Sequence, residues 1–181
     1  MAPTASDLAA IVCASDLADS DAVDALVLGF CQGLQRAGWR VGGLVQRRLP
    51  APGGGKPLLE LQDVRTGQLW PISQRLGTLS RACSLDTCAL AQASGVLRQA
   101  LADGVQLAVT NRFGELEAAG GGFAAELAAL AGAGIPVLTV TGRKHVQAWR
   151  CFTGGLGAEL PAQPAALHAW FTQAAGRGVP A

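Results

Sequence analysis

Residues 8–46, "LAAIVCASDLADSDAVDALVLGFCQGLQRAGWRVGGLVQ", carry the pattern that decides the fold. LAAIVC (8–13) is an apolar run of the length of a buried strand. DAVDALVLGFCQGLQRAG (21–38) repeats apolar residues at helical spacing and closes on Gly38, a residue type that ends helices. WRVGGLVQ (39–46) reads as a second strand. Strand, helix and strand in that order make the unit of a parallel sheet, whose strands need a long crossover between them.

The rest of the chain repeats that alternation around one interruption. RRLPAPGGGKP (47–57) is turn chemistry throughout and reads as an exposed loop. LLELQDV (58–64) and GQLWPIS (67–73) flank the turn RTG and predict an antiparallel hairpin inserted at the sheet edge. QRLGTLSRACSLD (74–86) has little periodicity and many polar groups, which makes it a functional-loop candidate. Beyond it, DTCALAQASGVLRQALADG predicts a helix capped by Asp86 or Thr87 and feeding the strand VQLAVT (105–110). EAAGGGFAAELAALAGAG (117–134) predicts a helix with three glycines near its start, followed by the strand IPVLTVT (135–141). RKHVQAWRCFTGG gives a short helix ending at Gly154, and PAALHAWFTQAAG a last one. The expected fold is α/β: a three-layer sandwich with a mostly parallel central sheet, one domain over residues 1–181, with no internal repeat.

Composition narrows the function. A chain of 181 residues, half of them hydrophobic and 15% charged, closes a full core without staples. A net charge of +1 supplies no field for gripping nucleic acid or an anionic membrane, so a charged ligand has to be held by a local site. The start, MAPTASDLAAIVCASDLADSD, lacks a basic region and a long apolar run, and the expected location is the cytoplasm. Five unevenly spaced cysteines fit reduced thiols, with Cys13 and Cys31 as small core residues. Cys83 and Cys88 are five apart, and with only His145 and His168 elsewhere the pattern argues against a zinc site. Low charge and high apolar content are compatible with a homodimer.

Ligands of open parallel sheets bind outside the carboxyl ends of the strands. Four loops qualify: ASDLADSD, QRRLP, NRFGELE and TGRKH, of which three bring arginine or lysine and one brings aspartates. A phosphate loop needs glycines and a lysine, whereas ASDLADSDAVD has neither. An aspartate about 6 Å from a phosphate charge would oppose it by roughly 3 kcal/mol at an effective dielectric near 20. Asp16, Asp19, Ser20 and Asp21 read either as caps of the first helix or as a group that binds a cation or pairs with Arg112. Arg112 with Asn111 reads either as a structural ion pair or as an anion-binding fork. TVTGRKH adds Thr139, Thr141, Arg143 and Lys144, and FTGGLG adds Thr153 with the N–H groups freed by Gly154 and Gly155. No serine elbow is present, neither histidine has an acid partner nearby in sequence, and Glu115 and Glu117 point to different helix faces. Trp149, Phe152, Trp170 and Phe171 read as core. The residues name no reaction, and the catalytic set is left empty.

GGLVQ, LQDVRTGQLWPISQRLG, CSLD, VTNRFGELEAAGGGF, GIPVLTVT and AWRCFTGGLG, in this order across most of residues 40–157, resemble the bacterial domain-of-unknown-function family 2478. The resemblance implies a small cytoplasmic protein whose genes lie with those for molybdenum transport or molybdenum enzymes, hence a role in handling molybdate or tungstate. The layout is also similar, more distantly, to small P-loop nucleoside triphosphatases of the THEP type. In that likeness Asn111 and Arg112 stand where an acidic metal-holding pair would be, while Gly114 and Glu117 keep their places. The expectation is a non-catalytic protein that binds molybdate or tungstate for storage, sensing or delivery, with no metal site and no further cofactor. The candidate set is Ser73, Ser80, Asn111, Arg112, Thr139, Thr141, Arg143, Thr153, Gly154 and Gly155. The alternatives are a degenerate nucleoside triphosphatase or nucleotide-binding protein, and an assembly partner of a molybdenum enzyme or transporter that docks through RRLPAPGGGKP.

Overall fold

The computed structural model describes residues 7–14, 17–50, 57–73 and 85–176. Seven strands form one sheet: β1 (Leu8–Cys13), β2 (Val41–Leu49), β3 (Leu58–Asp63), β4 (Leu69–Pro71), β5 (Leu107–Phe113), β6 (Val137–Gly142) and β7 (Ala158–Leu160). Their spatial order is β4-β3-β2-β5-β6-β1-β7. β2, β5, β6, β1 and β7 pair in parallel, and β3 and β4 extend the β2 side as an antiparallel hairpin. The hairpin turns where expected because Asp63 holds it. One carboxylate oxygen accepts from the Arg65 N–H at 2.8 Å and the other from the Thr66 hydroxyl at 2.7 Å, while Gly67 supplies a positive φ of 76°.

Helices cover both faces. α1 (Leu17–Arg36) presents Val23, Val27, Phe30, Cys31 and Leu34, and α6 (Pro164–Ala175) presents Leu167, Trp170, Phe171 and Ala174, to one buried cluster. α2 (Thr87–Ala102), α4 (Ala124–Gly132) and α5 (Val146–Phe152) bury Leu90, Leu97, Leu127, Leu130 and Trp149 against the other face. Asp86 is the cap of α2, its carboxylate accepting from the N–H groups of Cys88 and Ala89 at 2.9 and 3.1 Å. Burial pushes the Cys31 thiol up to about 12, which fits a packing role.

Several boundaries differ from the sequence reading. β2 continues through Arg47 and Arg48 to Leu49, because β3 pairs with it residue for residue, and the loop begins later. β5 likewise continues through Asn111 and Arg112 to Phe113. The helix expected over 117–134 is two, α3 (Glu115–Ala118) and α4, broken at a glycine turn where Gly120 and Gly122 take φ of 81° and 55°. A Cβ on Gly122 would lie 2.1 Å from the Glu117 carboxylate, so the turn closes over that side chain only with glycine. The last strand, β7, has too short and too mixed a sequence to read as one; it forms by pairing with β1. Of the loop candidate 74–86, residues 74–84 lie outside the described residues.

Candidate functional site

β1 and β6 are neighbours whose onward connections part company. β1 leads into α1 on one face, and β6 leads through a 3-10 turn (Arg143–His145) into α5 on the other. Such a divergence opens a crevice at the carboxyl ends of the strands. A cavity of about 560 Å³ lies there. Its walls are Cys13 and Ala14 at the end of β1, Ser20 of α1, Arg48 of β2, the Arg112–Gly114 end of β5, and Val140 with Gly142 to His145 at the end of β6. Four cationic side chains, Arg48, Arg112, Arg143 and Lys144, therefore share one opening.

Arg112 reaches it through a β-bulge. Val109 pairs with Leu138, but Arg112 pairs with Val140, so β5 spends three steps where β6 spends two. The extra residue turns Arg112 toward α1, the side on which Val109 already lies, and puts Phe113 into the opposite cluster. There one terminal nitrogen of the guanidinium donates to Asp24 Oδ1 at 2.5 Å and to the Ser20 carbonyl at 3.3 Å, while the other lies 3.9 Å from Cys13 Sγ. Asp24 Oδ2 accepts from Gln46 at 3.5 Å. Burial is the largest influence on Asp24 and pushes its carboxyl above the usual carboxylate range, against the pull of Arg112, Gln46 and Arg48. Arg48 donates to the Ser20 hydroxyl at 3.0 Å, and its Nε stands 3.1 Å from Asp21 Oδ1 but out of line for a hydrogen bond. Arg143 and Lys144 are exposed and make no ion pair among the described residues.

The expected set divides. Arg112 and Arg143 meet at the cavity. Asn111 sits beside it in β5, with its backbone carbonyl accepting from Thr139 at 3.4 Å and its Oδ1 buried without a partner among the described residues. Thr139 and Thr141 are buried in β6, and Thr141 donates to the Phe113 carbonyl at 3.0 Å. Both hydroxyls tie β6 to the bulged end of β5 instead of facing the opening. Ser73 lies on the hairpin side of the sheet, bridged to Leu85 and accepting from the Leu59 N–H at 2.6 Å. Thr153 donates to the Trp149 carbonyl at the far end of α5, and Gly154 and Gly155 turn the chain there. A helix of that length puts them about 10 Å from Arg143. Ser80 and Asp16 lie outside the described residues.

Sequence reasoning missed Asp24 and left Arg48 and Cys13 outside the set. The one signal for Asp24 is spacing: it follows Ser20 by four residues on a helix, so both share a face. Glu117, which keeps its place in the likeness to triphosphatases, has both oxygens occupied locally, by the N–H groups of Gly114 at 3.0 Å and Phe123 at 3.1 Å. Cys13 donates to the Thr141 carbonyl at 3.5 Å. What the arrangement can do is bind: it presents guanidinium and ammonium groups to an anion.

A family described as "Protein of unknown function (DUF2478)" matches residues 8–170. A protein of Bradyrhizobium diazoefficiens named "Molybdenum import ATP-binding protein ModC 2" is 41% identical over 157 residues, which are 87% of this chain and 18% of that protein. The chain thus spans under a fifth of that relative's length. No solved structure matches it.

Proposed function

The chain belongs to that family of unknown function, and from this premise we propose that it is a non-catalytic binder of a small oxyanion, molybdate or tungstate foremost, acting in the cytoplasm in molybdenum handling. One observation carries the reading: the crevice at the divergence of β1 and β6 gathers Arg48, Arg112, Arg143 and Lys144 around a single cavity. Tetrahedral oxyanions are met by such planar forks and ammonium groups without any metal or nucleophile. The printed name of the B. diazoefficiens relative supports molybdenum as the context. Asn111, Arg112 and Arg143 are retained as anion contacts, joined by Arg48 and Lys144.

The same name includes ATP binding, which favours a second reading in which the cavity takes a nucleotide phosphate. The stretch after β1 weighs against it, since ASDLADSD offers neither glycine nor lysine. Thermal unfolding in the presence of molybdate, tungstate, sulfate, phosphate, and ATP with magnesium separates the two. A ligand at about a thousand times its dissociation constant adds roughly 4 kcal/mol, a rise on the order of 10 °C for a chain of this size. The oxyanion reading expects that rise with molybdate or tungstate; a rise with nucleotide alone would replace it, and no rise with any of them would leave docking to a molybdenum enzyme or transporter.

A further inference from the structure

The cavity has a feature that simple anion binding does not require. One of its two most buried cations is engaged with a buried carboxylate: Arg112 holds Asp24, whose side chain is 9% exposed, at 2.5 Å. A guanidinium paired with a buried carboxylate has a weaker field for a newcomer, because an entering anion has to compete with that carboxylate for it. Arg143 and Lys144, by contrast, are exposed and unpaired among the described residues. An oxyanion drawn in by those two finds one terminal nitrogen of Arg112 held by Asp24, the other turned to Cys13 Sγ at 3.9 Å and Nε buried, so full engagement of the guanidinium takes it from Asp24.

We propose that Asp24 is an internal competitor for the anion, displaced from Arg112 when an oxyanion binds and taking up a proton from solvent as it loses the guanidinium. This inference rests on the oxyanion reading above and adds to it the residue that sets affinity and a coupling to protons. Three observations converge on it. The carboxylate and the cavity share one arginine. Asp24 is buried, so without Arg112 its charged form is poorly solvated and protonation is the less costly state. Its remaining neighbours do not replace the lost partner: Gln46 is 3.5 Å away and bears no charge, and Arg48 is turned to the Ser20 hydroxyl and Asp21.

Every element around Asp24 contributes to its surroundings. β1 offers the Cys13 thiol, α1 offers Ser20 and Asp21, β2 offers Gln46, Arg47 and Arg48, and β5 offers Arg112. Across the cavity the end of β6 brings Arg143, Lys144 and His145. The proton balance is simple: anion binding converts Asp24 from carboxylate to carboxylic acid with one proton from solvent, and no bond to the anion forms.

The test is titration calorimetry on the full chain. Molybdate is used near neutral pH, and sulfate, whose charge is constant there, from about pH 8 down to about pH 5. Asp24→Asn keeps an acceptor for Arg112 while removing the charge, and it is expected to bind either anion about tenfold more tightly near neutral pH. Wild-type affinity for sulfate rises as pH falls, and the rise is smaller in Asp24→Asn. Equal or weaker binding by Asp24→Asn, with wild type binding normally, overturns the competitor and makes Asp24 a residue that holds Arg112 in place. Failure of both proteins to bind any oxyanion instead overturns the oxyanion reading itself. Should Asp24→Asn not fold, the wild type decides: the titration midpoint of the Asp24 carboxyl carbon, read by NMR, moves up on saturation with sulfate, and a midpoint that stays put refutes displacement.

Discussion

Arg112 and Arg143 sit at the ends of adjacent strands, yet the two regions are built on opposite terms. The end of β5 is interior: a bulge aims its arginine, Asp24 holds it, and Cys13 and Ser20 close around it. The end of β6 is exterior, a single 3-10 turn carrying Arg143, Lys144 and His145 toward solvent with no carboxylate on them among the described residues. A cation fixed by its own protein contributes position and stability, whereas one left unpaired contributes attraction. The cavity between the two ends has both kinds, and that difference says where mutation will be felt as unfolding and where as lost binding.

The sharpest way to break the β5 side is not at the arginine. Gly43 of β2 lies opposite Val109, the last residue of β5 in register before the bulge. It takes φ 121°, and a Cβ there would come 2.0 Å from the Val109 carbonyl oxygen. Gly43→Ala is expected to lose about 4 kcal/mol through strain and a backbone clash, visible as a melting temperature lowered on the order of 10 °C. An unshifted melt would mean that β2 and β5 separate at little cost.

Exchanging the arginines tests the contrast itself. Arg112→Ala leaves Asp24 buried without its partner and is expected to lose about 3 kcal/mol in urea unfolding. Arg143→Ala removes an exposed, unpaired side chain, so its stability stays within about 0.5 kcal/mol of wild type while its oxyanion affinity falls about tenfold by calorimetry. Equal stability losses in the two variants would erase the distinction between the strand ends.

The smallest effect is the dependence of stability on pH. Because the folded-state pKa of Asp24 is raised, the folded chain holds that proton more firmly than the unfolded one. Its contribution is fully present below the ordinary value of 3.8 and is lost as pH rises through the raised pKa. Asp103 and Glu159, both lowered chiefly by side-chain hydrogen bonds to Gln99 and Arg150, work in the other direction, their contributions being lost as pH falls. Subtracting the stability profile of Asp24→Asn from that of wild type isolates the Asp24 part, which should decline with rising pH; a difference that climbs would reverse the sign assigned here.

The fold was legible wherever local pattern and tertiary context agreed. β1, α1 and β2 announce themselves because LAAIVC and the apolar stripe of α1 are long, unbroken and bounded by Gly38, and the hairpin does so because DVRTG is a turn in its own right. The site was legible only in part. Arg112 and Arg143 could be placed at strand ends from the alternation of elements. Thr139 and Thr141 could not be placed correctly, since a strand buried on both faces hides its polar residues among backbone carbonyls instead of delivering them to a loop. Thr153, Gly154 and Gly155 looked like an anion turn but close the wrong end of α5, and the end to which a glycine turn belongs depends on which way its helix runs. Asp24 was invisible because its partner lies 88 positions away and is reached only by a bulge that has no glycine to mark it.

That bulge works like a reading-frame shift written in space. Along β5 the side chains alternate between faces, and one supernumerary residue after Val109 reverses the assignment of everything that follows. Removing a single residue at 110 or 111 would therefore only straighten the strand, leaving Arg112 opposite Val140 and Phe113 opposite Thr141. Adding one residue there would instead send the Arg112 guanidinium into the apolar layer now filled by Phe113 and turn the Phe113 ring out toward the carboxylate of Asp24. Chemistry and packing at the mouth of the cavity would trade places with no substitution made.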